Sequence, residues 1–390
     1  MHVALVSTYP PTKCGIANYT KNLVTALRLE GTTVTVLAES SSNDVAEVDT
    51  RHCWNRKGSW GSDLLAQLET LRPDVVHFQH EEAILGQDGR LSALLRGVRK
   101  LGIASAVTLH SVYRGSLGVP GIRYSGQQFQ RSIGEHADLV IVHQIDGCED
   151  RLLAQGVDRE KVVVIPHGTS MLTLKDKRAA RVELGLDENA PLILAIGFIH
   201  KKKGLHTLVH ALPNLRLQVP TAQLLIAGSF RERPWDILYN RRLRRAMEPA
   251  IANGSIDLRE EFHTSATMNT MLAAADLLAL PYQQKYGSAS GILHMALGAG
   301  APVLCADGYK FAEAKRAWGK TFPELFPPPE EPSAWTTALV RVLGNDEMLG
   351  RLAAESRTLG EETSWAEVAR KHAAGFTQAL ACARATAIPE

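Results

Sequence analysis

Three glycine-bearing loops carry the residues best suited to hold a phosphate. The stretch Tyr286-Gly-Ser-Ala-Ser-Gly-Ile-Leu-His-Met-Ala-Leu-Gly-Ala-Gly-Ala-Pro-Val303 follows an apolar run, Ala275–Pro281. It turns into a small-residue helical pattern from Ile292 to Gly298. A strand, a Gly/Ser loop and a helix start together make an anion site. The first helical turn has N–H groups without intrahelical partners, and the positive end of the helix dipole faces the loop. Ser288, Ser290 and Gly291 let a phosphorylated ligand approach the backbone closely. The second loop, Gly197-Phe-Ile-His-Lys-Lys-Lys-Gly204, lies between an apolar strand pattern and a helix. Lysines at the carboxyl end of a strand suit phosphate oxygens as point charges. The third, Tyr9-Pro-Pro-Thr-Lys-Cys-Gly-Ile-Ala-Asn18, puts Gly15 just before a helix. There a residue without Cβ lets its N–H meet a diphosphate. Each loop also has a plain structural reading: a chain turn, a solvated charge run, a helix-cap turn.

Histidines recur at predicted strand ends: His77, His80, His110, His143 and His167. No pair of them has the helical spacing of zinc ligands, so a metal site is not expected. The chain has no Asp-x-Asp pair, no Gly-x-Ser-x-Gly and no Walker A loop. The five cysteines, Cys14, Cys53, Cys148, Cys305 and Cys382, are scattered without a C-x-x-C pair. That pattern fits reduced thiols in a cytoplasmic setting.

The elements that must position these loops follow from the apolar pattern. Short strands alternate with helices through the first half: Val3–Ser7, Thr33–Ala38, Asp74–Gln79, Ser105–His110, Leu139–His143 and Val162–Pro166 as strands. Helices are expected at Ile16–Arg28, Leu64–Leu71, Leu91–Leu101, Gln127–His136 and Ile145–Gln155. The alternation restarts with Pro191–Gly197, Ala222–Gly228, Ile256–Arg259, Leu277–Pro281 and Val303–Ala306 as strands. Repeated strand–helix alternation implies parallel sheets covered on both faces. At 390 residues, two such α/β domains are expected, Rossmann-like, doubly wound and facing a central cleft. Phe326-Pro-Pro-Pro329 is expected as a surface connection, and Ser333–Leu343 and Trp365–Arg384 as helices. Hydrophobic residues at 45% and a net charge of +2 fit a soluble globular protein and argue against a nucleic-acid binder. No apolar run approaches a membrane span. The arginines of 90–100 and of 241–245 are expected on solvated helix faces, so no strong membrane association is expected.

The motif set resembles the family-four nucleotide-sugar glycosyltransferases of GT-B architecture. The resemblance rests on Tyr9-Pro-Pro…Cys14-Gly-Ile-Ala, Asp74-Val-Val-His-Phe-Gln-His-Glu81, Val107-Thr-Leu-His110, Ile165-Pro-His-Gly168, Gly197-Phe-Ile-x4-Gly204 and Gly298-Ala-Gly-Ala-Pro-Val303. It implies an acceptor-binding domain over 1–170, a nucleotide-sugar domain over 171–360, and a final helix over 361–390 crossing back to the first. It implies catalytic roles for His110, beside the transferred sugar, and Lys203, against the leaving diphosphate. Donor contacts are implied for Gly15, Phe198, His200, Lys203, Ser288, Ser290, Gly291 and Ile292. Acceptor contacts are expected at Asn18, Tyr19, His80, Glu81 and Tyr113. The family's paired glutamates are absent: Gly287 or Ser288 and Met295 or Ala296 stand there instead.

The reading expected is a metal-independent, hexosyltransferase-like enzyme needing no cofactor beyond its nucleotide-sugar co-substrate. A GDP-sugar donor is favoured over a UDP-sugar, with a small-molecule or saccharide acceptor. The alternatives are a non-catalytic GT-B partner protein, an inverting enzyme with a His or Glu base, and a phosphorylase.

Overall fold

The computed structural model describes residues 1–12, 14–40, 49–113, 126–143, 147–284 and 287–386. Tyr286 of the Gly/Ser loop, Lys13 of the first loop and Ile145 of an expected helix lie outside the described residues. The chain divides into two units. The first comprises Met1–Gly168, Tyr286–Ala289 and Trp365–Glu390; the second comprises Thr169–Lys285 and Ser290–Ser364.

The first unit opens with β1 (His2–Ser7), α1 (Gly15–Leu29), β2 (Thr33–Glu39), β3 (Thr50–Trp54) and α2 (Trp60–Leu71). It continues with β4 (Val75–His80), α3 (Glu82–Leu85), α4 (Arg90–Lys100), β5 (Ala104–Leu109) and α5 (Gly126–His136). β6 (Leu139–Val142), α6 (Cys148–Ala154) and β7 (Val162–Val164) complete the run. The sheet has seven parallel strands in the order β3-β2-β1-β4-β5-β6-β7. Its central strands β4 and β5 are buried along their whole length, as both faces of a parallel sheet are covered. The sequence pattern missed β3, an edge strand without an apolar run. Only Trp54 of that strand is fully buried, and its Nε1–H donates to the Leu37 carbonyl at 2.9 Å. The helix expected from Leu64 starts at Trp60, whose ring is buried and lies 6.4 Å from that of Trp54.

The second unit holds α7 (Lys177–Leu184), β8 (Leu192–Ile196), α8 (Leu205–Gln218), β9 (Gln223–Ala227), α9 (Ile237–Ala252) and β10 (Ile256–Arg259). Next come α10 (Ser265–Ala274), β11 (Leu277–Leu280), α11 (Gly291–Ala299) and β12 (Val303–Cys305). Helices α12 (Ala312–Trp318), α13 (Pro332–Leu343) and α14 (Asp346–Glu362) close it. Its five strands are parallel, in the order β10-β9-β8-β11-β12. In both sheets the first strand of the unit sits inside the sheet and the chain winds outward on both sides, the doubly wound pattern. Phe326 and Pro327 are buried, so the proline stretch is partly core rather than a surface connection. Phe326 joins the core cluster that also holds Leu325 and Trp335. Helix α15 (Trp365–Thr386) belongs to the first unit. There Val368, Ala369, Phe376 and Ala379 are wholly buried among β-sheet and α1 side chains.

Candidate active site

In the second unit, three chain segments converge at the carboxyl ends of β8 and β11. Strand β8 leads into Gly197, whose φ of 119° is a conformation that favours glycine. A Cβ on Gly228 would lie 2.1 Å from the Gly197 carbonyl oxygen, so the exits of β8 and β9 pass in direct contact. Gly204, at φ 67°, likewise seats the lysine loop against the exit of β11. A Cβ there would meet the Pro281 oxygen at 1.8 Å. The Gln283 N–H donates to the Lys202 carbonyl at 3.0 Å and ties the same two segments.

The three lysines between these glycines part ways. Lys201 and Lys202 are exposed, whereas Lys203 is half-buried and sets its Nζ 3.7 Å from the centroid of the buried Tyr282 ring. Burial lowers the pKa of the Lys203 amine to about 7. The amine lines a small cavity with Gly197, Phe198, Pro281 and Tyr282. Phe198 is 51% exposed, with its ring centroid 6.2 Å from that of Phe262. His200 is buried, and burial, with Arg231 and Lys203 nearby, lowers its pKa to about 3. It is neutral at physiological pH and adds no charge to the loop.

Helix α11 starts beside this cavity, since Ile292 side-chain atoms lie 3.7 Å from where a Gly197 Cβ would stand. Ser290 is 4% exposed and caps the helix, its Oγ accepting from the Leu293 N–H at 3.3 Å. The oxygen of that hydroxyl is engaged in the cap, and its O–H remains able to donate. The N–H groups of Gly291 and Ile292 have no hydrogen-bond partner among the described residues, and Gly291 is exposed. Ser288 is half-buried.

In the first unit, Gly15 opens α1 on the surface with nothing within 4 Å of a hypothetical Cβ. Asn18 is exposed one turn on. Tyr19 is not at the surface: it is 3% exposed and packs edge-on against His110, His143, His167 and Trp365 at 4.9–5.4 Å. Its ring is packed within the first unit. His80 is buried too, 1% exposed with its Nε2–H donating to the Gly86 carbonyl at 2.8 Å. Burial lowers the His80 pKa to about 4. Glu81 and Tyr113 are half-buried. Glu81 accepts from the Ser111 hydroxyl at 2.7 Å, and the Tyr113 hydroxyl donates to Glu82 at 3.3 Å.

His110 has both ring nitrogens engaged. Nε2 is 2.8 Å from the Gln79 amide oxygen, and Nδ1 is 3.0 Å from Nε2 of His143. Nδ1 of His143 lies 3.2 Å from the Ile165 carbonyl, which can only accept, so that nitrogen carries the proton. A neutral His143 then accepts from Nδ1–H of His110. This ordering is completed when the Gln79 amide turns its NH2 toward His110. Burial and the neighbouring histidines hold His110 well below the usual histidine pKa. The ring is a neutral, fixed member of a buried chain, not a free base. Sequence reasoning missed Gln79 as its partner, and the Ile165 carbonyl as the partner of His143. The alternation of Val75–His80 could have placed Gln79 on the face of His77, and His77 Nε2 does lie 3.1 Å from the Gln79 amide group.

Comparison with known proteins gives a consistent answer. The family described as Glycosyltransferase Family 4 matches residues 14–171, and that described as Glycosyl transferases group 1 matches residues 190–345. A D-inositol 3-phosphate glycosyltransferase of Nocardia farcinica is 28% identical over 266 residues, which are 64% of this chain and 56% of that protein. The chain thus matches little more than half the length of that relative. A GDP-mannose-dependent monoacylated alpha-(1-6)-phosphatidylinositol monomannoside mannosyltransferase of Corynebacterium glutamicum is 26% identical over 318 residues, 77% of this chain and 79% of that protein. In fold, sucrose-phosphate synthase from Thermosynechococcus elongatus superposes with a TM-score of 0.75 at 19% identity, covering 98% of this chain and 99% of the other.

Proposed function

The chain belongs to the family-four glycosyltransferases and has the GT-B fold, and from that premise we propose how it works and on what. It takes a sugar from a nucleoside-diphosphate sugar, GDP-linked in preference to UDP-linked, and passes it to a hydroxyl of a small-molecule or saccharide acceptor. The observation that carries this reading is Lys203: of three consecutive lysines, it alone turns inward, beside the start of α11.

As the bond between sugar C1 and the phosphate oxygen breaks, negative charge grows on the diphosphate. The Lys203 ammonium and the unpaired N–H groups of Gly291 and Ile292 meet that charge, with the α11 dipole behind them. This arrangement supplies the charge stabilisation without a metal ion. A bound diphosphate also raises the lowered pKa of Lys203, so donor binding and protonation reinforce one another. Gly15, bare of neighbours, leaves room for a phosphate at the start of α1.

The engaged ring nitrogens of His110 and the burial of His80 disfavour both as general bases. This supports a retaining route, in which the leaving phosphate oxygen takes the acceptor proton. Glu81 is the one carboxylate of the expected acceptor set with the chemistry for an inverting route. Its replacement is therefore the test of stereochemical course. The name of the Corynebacterium relative supports the GDP-linked donor, and that of the Nocardia relative makes a polyol phosphate the first small acceptor to try. Hydrolysis and transfer assays with UDP-, GDP- and dTDP-sugars test the proposal. Turnover or binding of at least one is expected, and failure with all of them overturns it.

A further inference from the structure

Helix α9 carries a feature the transfer reaction does not use. Among the described residues, ten large hydrophobic side chains are exposed, and three of them fall within four positions. Trp235 is 69%, Ile237 53% and Leu238 55% exposed, at the tip where the chain enters α9. Asp236 between them is buried and held by Arg231 at 2.8 Å, which fixes the tip with its apolar side chains outward. The inner face of α9 is set by Asn240, Leu243 and Met247. The outer face continues from Ile237 and Leu238 into Arg241, Arg242 and Arg245, at the i+3, i+4 and i+7 spacings that share one side of a helix. All three arginines are exposed and make no ion pair among the described residues. Arg233 lies 5.5 Å over the Trp235 ring. A cavity of about 230 Å3 between α8 and α9 is lined by Lys201, His206, His210, Tyr239 and Arg242, with no carboxylate.

We propose that this face of α9 docks on an anionic membrane surface. Trp235, Ile237 and Leu238 enter the headgroup–acyl boundary. Arg241, Arg242, Arg245 and Lys201 meet lipid phosphates, one of which fits the cavity under Arg242. Tryptophan with aliphatic neighbours, followed by arginines on the same face, is the chemistry of an interfacial helix. The segment 231–248 has three more arginines than carboxylates, complementary to an anionic leaflet. The apolar tip offers about 400 Å2 at most, roughly half of what each partner of a stable protein complex buries. A protruding tip of that size inserts into a bilayer more readily than it forms a protein interface. No helix among the described residues is long and apolar enough to cross a membrane, so the contact is a surface one. Helix α4, also cationic, has no comparable tip, and its Arg90 is paired with Asp88 at 2.9 Å.

The proposal stands apart from the transfer reaction and is tested without it. Of the six tryptophans, Trp54, Trp60, Trp318, Trp335 and Trp365 are buried, so acrylamide quenching of the whole chain reports on Trp235. Vesicles of equal parts phosphatidylglycerol and phosphatidylcholine should bind the protein and protect that quenchable fraction, and phosphatidylcholine vesicles should do so far less. The variant Trp235→Ser/Ile237→Ser/Leu238→Ser should lose at least about tenfold in vesicle affinity. Replacing Arg241, Arg242 and Arg245 by Gln should cost about fivefold each and flatten the salt dependence. Unchanged thermal melting of both variants confirms intact folds. Absence of binding to anionic vesicles at low salt overturns the proposal, as does unaltered binding of the serine variant. Protection of Trp235 that grows with protein concentration alone also overturns it, by assigning the face to a second copy of the chain.

Discussion

At the scale of a single residue, the proposed chemistry turns on Lys203. Its amine, with a pKa lowered to about 7 by burial, is charged below that pH and neutral above it. Donor kcat/KM, which reports the free enzyme, should hold level below about pH 7 and fall as pH rises through it. The variant Lys203→Met should lose roughly 10²–10³ in kcat/KM together with that pH dependence. Its effect on stability has the opposite sense. Between pH 7 and 10.5 the unfolded chain keeps a lysine proton that the folded chain has released, so the parent gains stability as pH rises across that window. Removing the amine removes that slope, and thermal melts of the two proteins at pH 6.5 and 9 show it. The exposed Lys201 and Lys202, changed singly to Ala, should leave turnover near parental. Glu81→Gln separates the two stereochemical routes: activity within a few-fold of the parent fits retention, and loss of about 10²-fold or more fits a base at Glu81. The motif spacing singled out Lys203, the lysine of the loop that faces inward, but not the fate of the histidines. Their positions at strand ends were legible, whereas engagement of both His110 nitrogens depends on His143 and Gln79, which come from neighbouring strands far apart in sequence.

Glycines with different tasks separate at the scale of elements. Gly15 has open space around it, so Gly15→Val should leave melting unchanged while weakening donor binding, if its N–H meets the diphosphate. Gly204→Ala sets a Cβ 1.8 Å from the Pro281 oxygen at a φ of 67°, and should destabilise the second unit whatever the ligand. Ser290→Ala removes a helix cap and should cost about 1 kcal/mol in urea melts, with donor affinity falling only through the looser α11 start. Most strands and helices were legible because their apolar runs and periodicity survive in the sequence, as at Leu192–Ile196 and Gly15–Leu29. The edge strand Thr50–Trp54 was not, since one solvent-facing side leaves too few apolar residues to register. The buried Phe326–Pro327 pair was hidden by its prolines, which signal a turn regardless of whether the turn packs inward.

At the scale of the whole molecule, the chain repeats one construction twice, a parallel sheet wound in both directions, and returns through α15 to the first unit. Deleting residues 365–390 strips Val368, Phe376 and Ala379 from that unit's core, so the truncated protein should lose its cooperative melt. The two-unit plan was legible from the restart of strand–helix alternation after residue 190. The donor's base and sugar were not, because the positions where the family's glutamates stand hold Gly287 or Ser288 and Met295 or Ala296 here. The account's central claim is that Lys203 and the start of α11 receive a nucleoside diphosphate. Calorimetric titration of the parent and of Lys203→Met with GDP and UDP tests it most directly. The parent should bind one nucleotide or both, more weakly at pH 8 than at pH 6.5, and Lys203→Met should lose most of that affinity at either pH. Equal binding by the two proteins, or no binding of either nucleotide by the parent, would contradict it.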